Sequence, residues 1–216
     1  MNVASEPLPL VAHHEAGHAV AAIVLKRQMF DDDREFPAFS SVSIYPDAGD
    51  GDYYVVVMGK AFYSAQGFTS KRKPIFEDDM DRYLERDDAI REIVTCLAGP
   101  FAGSAFEGYL DPFDMAMNAS DANEGSSDYA DAKRIYGELR FLMPRRPGWR
   151  RIEDRTARLV LDHWSAIKAL AAHLLVKHDL QFDEALTIVA PHLPPMPVAT
   201  PPERFRRLLD QPFDVI

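Results

Sequence analysis

From Leu8 to about Lys26 almost every position is apolar or small, Pro9 suits a first helical turn, and charge returns only at Lys26 and Arg27. A helix apolar on all sides is a buried one, so this pattern predicts a core helix. A polar, proline-ended segment follows at Asp31 to Pro37. Ser41 to Tyr45 and Tyr53 to Met58 are then two strand-like runs around the turn-forming Pro46 to Asp52, which predicts a β-hairpin. Beyond a loop at Ser64 to Pro74, Met80, Tyr83, Leu84, Ile90, Val94 and Leu97 recur at helical spacing. Asp78 with Arg82, and Asp87 with Arg91, are i,i+4 pairs that suit a solvated face of that helix.

Gly99, Pro100, Gly103 and Gly108 are expected to interrupt the next stretch, and Asp111 to Gly125 is acidic without clear periodicity. A helix should start near Ser127, capped by Ser126 or Ser127, with Tyr129, Ala132, Ile135, Tyr136 and Leu139 as its buried stripe up to a break at Pro144 to Gly148. Ile152 to His178 is expected to form one long helix, followed by a last one from about Asp183 to Ala190. The fold class expected is therefore mainly α with a small β-hairpin or sheet. Residues 1–190 should form one domain. Pro191 to Pro202 should be an extended linker and Glu203 to Ile216 a basic, then apolar, tail suited to docking.

Composition narrows the function classes. With 47% hydrophobic and 27% charged residues over 216 positions the chain can build a packed core. Its formal net charge of -10 opposes nucleic acid and anionic membrane surfaces as partners. Runs as long and apolar as a membrane helix are not expected, and Met1 to Pro9 lacks the character of a signal peptide, so a cytoplasmic location is expected. The single cysteine, Cys96, sits among Ile93, Val94 and Leu97 and is expected in the core.

The first helix carries the candidate chemistry. His14-Glu15-Ala16-Gly17-His18 has the spacing of H-E-x-x-H, in which two histidines on successive turns converge on one metal ion and the glutamate, offset by about 100°, serves as general base. Two histidines and a glutamate inside an apolar helix are expensive to desolvate unless something compensates them, and a divalent cation does so. Core histidines satisfied by neighbouring groups are the alternative. Gly17 costs about 1 kcal/mol in a helix relative to alanine, which asks for close approach of another backbone. His13 falls on a different face and is read as a neighbour of the site, while His163, His173, His178 and His192 suit helix surfaces or boundaries. A catalytic zinc ion needs a third protein ligand. Glu92, Glu107, Asp121, Glu124, Asp128 and Asp131 are all candidates by composition. A calcium loop at Asp121 to Ala132 is rejected, because glycine stands at its fifth position and Ala132 at its twelfth.

His14 to Ala19 resembles the peptidase domain of the FtsH-type zinc proteases, whose first helix typically reads His-Glu-Ala-Gly-His-Ala. Ser41 to Pro46 is similar to that family's strand after the zinc helix, Leu97 to Gly108 to its glycine-containing helix, and Leu170 to Glu184 to its C-terminal helices. Ser126-Ser127-Asp128-Tyr129 is similar to the stretch whose aspartate is the third zinc ligand, so the resemblance implies Asp128. It also implies a mainly helical, zincin-like metallopeptidase domain. The chain departs from the family at Ala98 to Ser104, where the family carries charged residues, and it has an acidic segment between Gly108 and Ser126. It carries no G-x-x-x-x-G-K-[ST] phosphate loop like that of the family's ATPase, and the family's membrane anchor is not expected in it.

These residues lead to the expectation of a zinc-dependent metalloendopeptidase that cuts unfolded or flexible polypeptides without ATP. His14, His18 and Asp128 would hold Zn2+ and Glu15 would be the base. Substrate could add as a strand beside Tyr53 to Met58. The partners expected are a polypeptide substrate and either further copies of this chain or a separate ATPase. Two alternatives stand beside it: a catalytically silent metal-binding scaffold, suggested by Gly103 and Ser104, and a regulatory subunit that recruits a partner through its tail.

Overall fold

The first helix, α1 (Leu8–Arg27), lies at the centre of the protein, and its alanines, valines and Ile23 are buried on nearly every side. The computed structural model describes residues 8–27, 37–46, 53–58, 79–122, 127–140 and 146–195. The other elements are α2 (Asp79–Phe106), α3 (Pro112–Ala122), α4 (Ser127–Leu139), α5 (Trp149–Asp162), α6 (Trp164–Leu174) and α7 (Phe182–Val189), with strands β1 (Ser41–Pro46), β2 (Tyr53–Met58) and β3 (Asp179–Gln181); α2, α5, α6, β1 and β2 pack on α1. The architecture is mainly α with one small sheet. By length and apolarity α1 would pass for a membrane span, contrary to the expectation from sequence. Two thirds of its span-length window is buried inside the protein, as in a core helix.

The expected hairpin is present, with Ser41 paired to Met58 and Pro46 to Tyr53 in an antiparallel register. The sheet also has a third strand that the pattern did not announce. β3 pairs antiparallel with β1 on the opposite edge from β2, with Val42 opposite Leu180. Three residues are too few to carry a period. The strand is held from outside by Ile44 N donating to the His178 carbonyl, by Phe182 N donating to the Ser40 carbonyl, and by Ser43 Oγ donating to Asp179.

Three helical expectations are corrected. First, α2 is not interrupted at Gly99 and Pro100 but runs on to Phe106. Proline costs about 3 kcal/mol and glycine about 1 in a helix interior. Burying Leu97 and Phe101 returns about 1.5–3 kcal/mol each, and Val94, Ala98 and Ala102 are buried beside them. Packing against α1 decides the matter. The helix stops instead at Gly108 (φ 100°), where Tyr109 N donates to the Ser104 carbonyl and Gly108 N to the Ala105 carbonyl.

Second, the acidic segment contains α3. Asp111 Oδ1 accepts from Phe113 N at 2.8 Å and Asp114 N at 3.3 Å, Pro112 occupies the first turn, and Met115, Ala116 and Ala119 form the buried stripe. Third, the long helix expected over Ile152 to His178 breaks at His163 (φ -108°, ψ 19°) into α5 and α6.

The start of α4 at Ser127 agrees with the sequence reading, and Tyr129, Ala132, Ile135 and Leu139 are buried on it. Arg91 is buried, so it is not part of a solvated charged face. Pro191 and His192 lie in a short 3-10 turn and Leu193 is buried, so ordered packing continues beyond Ala190. Asp31 to Glu35, most of the Pro46 to Asp52 turn, the Ser64 to Pro74 loop, Ser126 and the tail from residue 196 lie outside the described residues.

Gly17 answers the question its position raised. A Cβ there would lie 2.5 Å from the Ala98 carbonyl oxygen and 2.6 Å from Ala102 Cβ, so α1 and α2 cross in near contact. Gly17→Ala should therefore destabilise the fold. Overpacking against atoms that cannot rotate away costs about 3 kcal/mol and outweighs a helix-propensity gain of about 1. The melting temperature should fall by about 4–8 °C. Gly137→Ala, on an exposed face of α4 with nothing near the added methyl, should raise it. Equal effects of the two substitutions in thermal unfolding would refute the close crossing.

Candidate metal centre

His14 and His18 stand one turn apart on α1, and their Nε2 atoms approach to 3.1 Å with the rings edge to face. Asp128, second residue of α4, extends Oδ2 to 3.0 Å from His14 Nε2 and 3.4 Å from His18 Nε2. The ligand atoms of these three residues form a compact group able to hold a metal ion. Ligands about 2.0–2.1 Å from a tetrahedral ion stand about 3.3 Å apart. The three separations found here fit the edges of such a tetrahedron.

The surroundings prepare the group for that role. His18 Nδ1 donates to the Thr95 carbonyl at 2.7 Å, which in the neutral ring leaves Nε2 as the free lone pair, the tautomer a metal needs. The contact exists because Gly99 has no side chain. A Cβ at that position would overlap the His18 imidazole, so glycine lets the ring lie directly on the α2 backbone.

Glu15 is 1% exposed, and its Oε1 has no hydrogen-bond partner among the described residues; it lies 3.6 Å from His14 Nε2. A buried carboxylate oxygen left unbonded costs several kcal/mol, a deficit that a metal with its water would offset. The Asp128 side chain, at 28% exposed against 19% for His14 and 10% for His18, marks the side on which the group meets solvent.

The electrostatics follow from two carboxylates and two imidazoles sharing one wall. Burial pushes the Glu15 carboxyl up, with the neighbouring histidines opposing and Asp128 adding to it. For His18 burial acts downward, but hydrogen bonding and charge from Asp128, then Glu15 and the Thr95 carbonyl, outweigh it and raise the ring to about 9. Burial would also raise Asp128, yet hydrogen bonds from His14 and His18 hold it well below the usual carboxylate range.

Of the other acidic candidates, Glu107 accepts from Asn118 Nδ2 at 2.7 Å and Asp131 pairs with Arg134 at 3.0 Å; neither they nor Glu92 belong to the group. Glu124 lies outside the described residues, as does the Asp121 side chain. His13 donates from Nδ1 to the Pro9 carbonyl at 2.7 Å and stacks on Phe106, so it is not a ligand. His163, His173, His178 and His192 lie at helix ends, on surfaces or beside the sheet. Burial pushes the Cys96 thiol up, which suits a packing residue rather than a nucleophile. Thr95 and Gly99 are the contributors that motif reading did not assign to the site. One acts through a backbone carbonyl and the other through the absence of a side chain.

Two outcomes are expected. Gly99→Ala should displace His18 and lower Zn2+ affinity by about 10–100-fold, the usual scale for groups that orient a ligand; unchanged affinity in competition with a chromophoric chelator would contradict the packing of His18 on α2. The second concerns pH. In the metal-free protein His18 is raised from 6.5 to about 9, so its contribution to stability is complete below pH 6.5 and lost as pH rises through 9. The raised Glu15 acts in the same sense. Thermal stability in a chelator should fall between pH 6.5 and 9, and added Zn2+ should remove that fall by replacing the proton. A flat or rising profile in the chelator would refute the coupling.

The chain matches no protein-family model and no curated protein.

Proposed function

We propose that this chain is a zinc-dependent metalloendopeptidase, with a zincin-like helical domain of the kind found in the FtsH-type proteases, acting on unfolded or flexible polypeptides. One observation carries the reading. Three ligand atoms at tetrahedral spacing stand beside a buried glutamate with an unbonded oxygen, and the glutamate follows the first ligand directly in the chain. A structural metal site closes its fourth position with a fourth protein ligand, whereas three ligands and an adjacent base leave room for chemistry.

His14, His18 and Asp128 would hold the ion, which when bound supplies Lewis acidity toward the scissile carbonyl and makes water a stronger acid. Glu15 takes the proton of the attacking water and delivers it to the departing amine. An ordinary carboxyl is a weak base for that task, and burial raises its affinity for a proton. The Thr95 carbonyl keeps His18 in the required tautomer throughout.

Among the described residues β2 has a single strand neighbour, β1, and α1 lies against both. An extended peptide added to the free edge of β2 would exchange main-chain hydrogen bonds and need little sequence preference. The scaffold alternative drew on Gly103 and Ser104. Gly103 sits beside Leu10 Cδ1, while Ser104 Oγ donates to the Pro100 carbonyl and accepts from Asn118. These residues join α2 to α1 and α3, and their change from the family pattern leaves the ligands and base in place.

The test is Glu15→Gln. Zinc stoichiometry should be retained while hydrolysis of an unfolded protein such as casein falls by about 10²-fold or more, the scale of general-base loss. Equal hydrolysis by the variant, or none by the zinc-loaded wild type, would reject the proposal.

A further inference from the structure

Asp128 reaches the histidines from the first turn of a helix, a place where backbone N–H groups lack intrahelical partners and ends tend to fray. A ligand in that position needs an anchor from elsewhere in the fold. The next residue provides it. Tyr129 is 7% exposed, and its hydroxyl donates to Glu153 Oε1 of α5 at 3.1 Å. The same oxygen accepts from Trp149 Nε1 at 2.7 Å, and Glu153 Oε2 lies 3.7 Å from Arg150 Nη1. Ser120 of α3 also hydrogen-bonds the phenol, so three helices meet at one hydroxyl.

Around this point Tyr136 packs on Trp149 with ring centroids 5.1 Å apart, and Lys133 lies 3.8 Å over the Trp149 ring. Glu153 is 7% exposed, and a carboxylate so buried is costly unless its acceptors are used. Here they are used: Trp149 and Arg150 of the same helix take up part of the carboxylate, and its one partner on α4 is the residue beside the proposed ligand. Hydrophobic residues could have packed α4 on α5. The apolar stripe of α4 already packs on α2, and the Tyr129 to Glu153 hydrogen bond adds a directional contact in the turn that carries Asp128.

We infer that Glu153, through Tyr129, is a positioning residue for Asp128 and thereby sets the metal affinity of the centre. The inference rests on the His14, His18 and Asp128 group being a metal site. Glu153 touches neither metal nor substrate and acts only by holding the first turn of α4.

The experiment measures Zn2+ affinity by chelator competition, and Co2+ visible spectra, at a temperature where every variant is folded. Tyr129→Phe removes only the hydroxyl, and Glu153→Met removes the acceptor at similar length, so the second remains if the first folds poorly. Each should lower Zn2+ affinity by about 10-fold or more and alter the Co2+ bands. In an Asp128→Ala background, where only the histidine pair remains, neither should cause a further loss. A purely structural role would lower the melting temperature and leave affinity in the folded state unchanged. Unchanged affinity in both variants, or an equal loss in the Asp128→Ala background, would overturn the inference while leaving the metal centre intact. Wild-type protein that binds neither ion would overturn both.

Discussion

The near contact of α1 with α2 is the constraint on which the rest depends. Gly17 lets the α2 backbone approach α1, and Gly99 lets His18 lie flat against α2. Glycine is the only residue that fits either place. The approach brings the Thr95 carbonyl within hydrogen-bond distance of His18 Nδ1, and this bond aims Nε2 at His14 and Asp128. Phe101, Leu97 and Ala98 become buried in the same crossing, which explains why a helix containing Pro100 stays continuous. Fold stability and ligand geometry thus come from one set of contacts.

The same crossing creates an electrostatic load. Glu15 and His18 are taken out of water along the apolar core, and Asp128 is drawn toward them. Without metal the group relies on shared protons. His18 holds one up to about 9, and Asp128 stays ionised because two imidazoles face it. A divalent ion would take over the neutralising role of that proton and also occupy the point toward which the three ligand atoms converge. The Glu15 oxygen, unbonded among the described residues, remains, and the proposed role of Glu15 as base rests on it.

Support for Asp128, the proposed third ligand, comes from the far side of the molecule. α4 packs on α2 through its apolar stripe, and α5 grips it through the buried Glu153. The capping by Asp111 and the turn at Gly108 bring α3 into the same bundle, so Ser120 meets Tyr129. Residues distant in the chain from the histidines therefore decide where the Asp128 carboxylate stands.

The sequence by itself determined what depends on local spacing. His14, Glu15 and His18 share one rigid helix, and 3.6 residues per turn dictate their mutual placement whatever surrounds them. The hairpin and the start of α4 were legible for the same reason, and α3 would have been, because Asp111-Pro112 is a cap followed by a first-turn proline. Asp128 was one of six acids by composition. The family resemblance pointed to it, but its approach to His14 spans 114 positions, a separation no periodicity encodes. Only the tertiary structure decided that approach, the pairing of β3 with β1, the passage of α2 through Pro100 and the break at His163. Each turns on packing between distant segments, where burial outweighs propensity. The Thr95 carbonyl could not be read from sequence at all, since every residue has one and only the fold selects which of them meets His18.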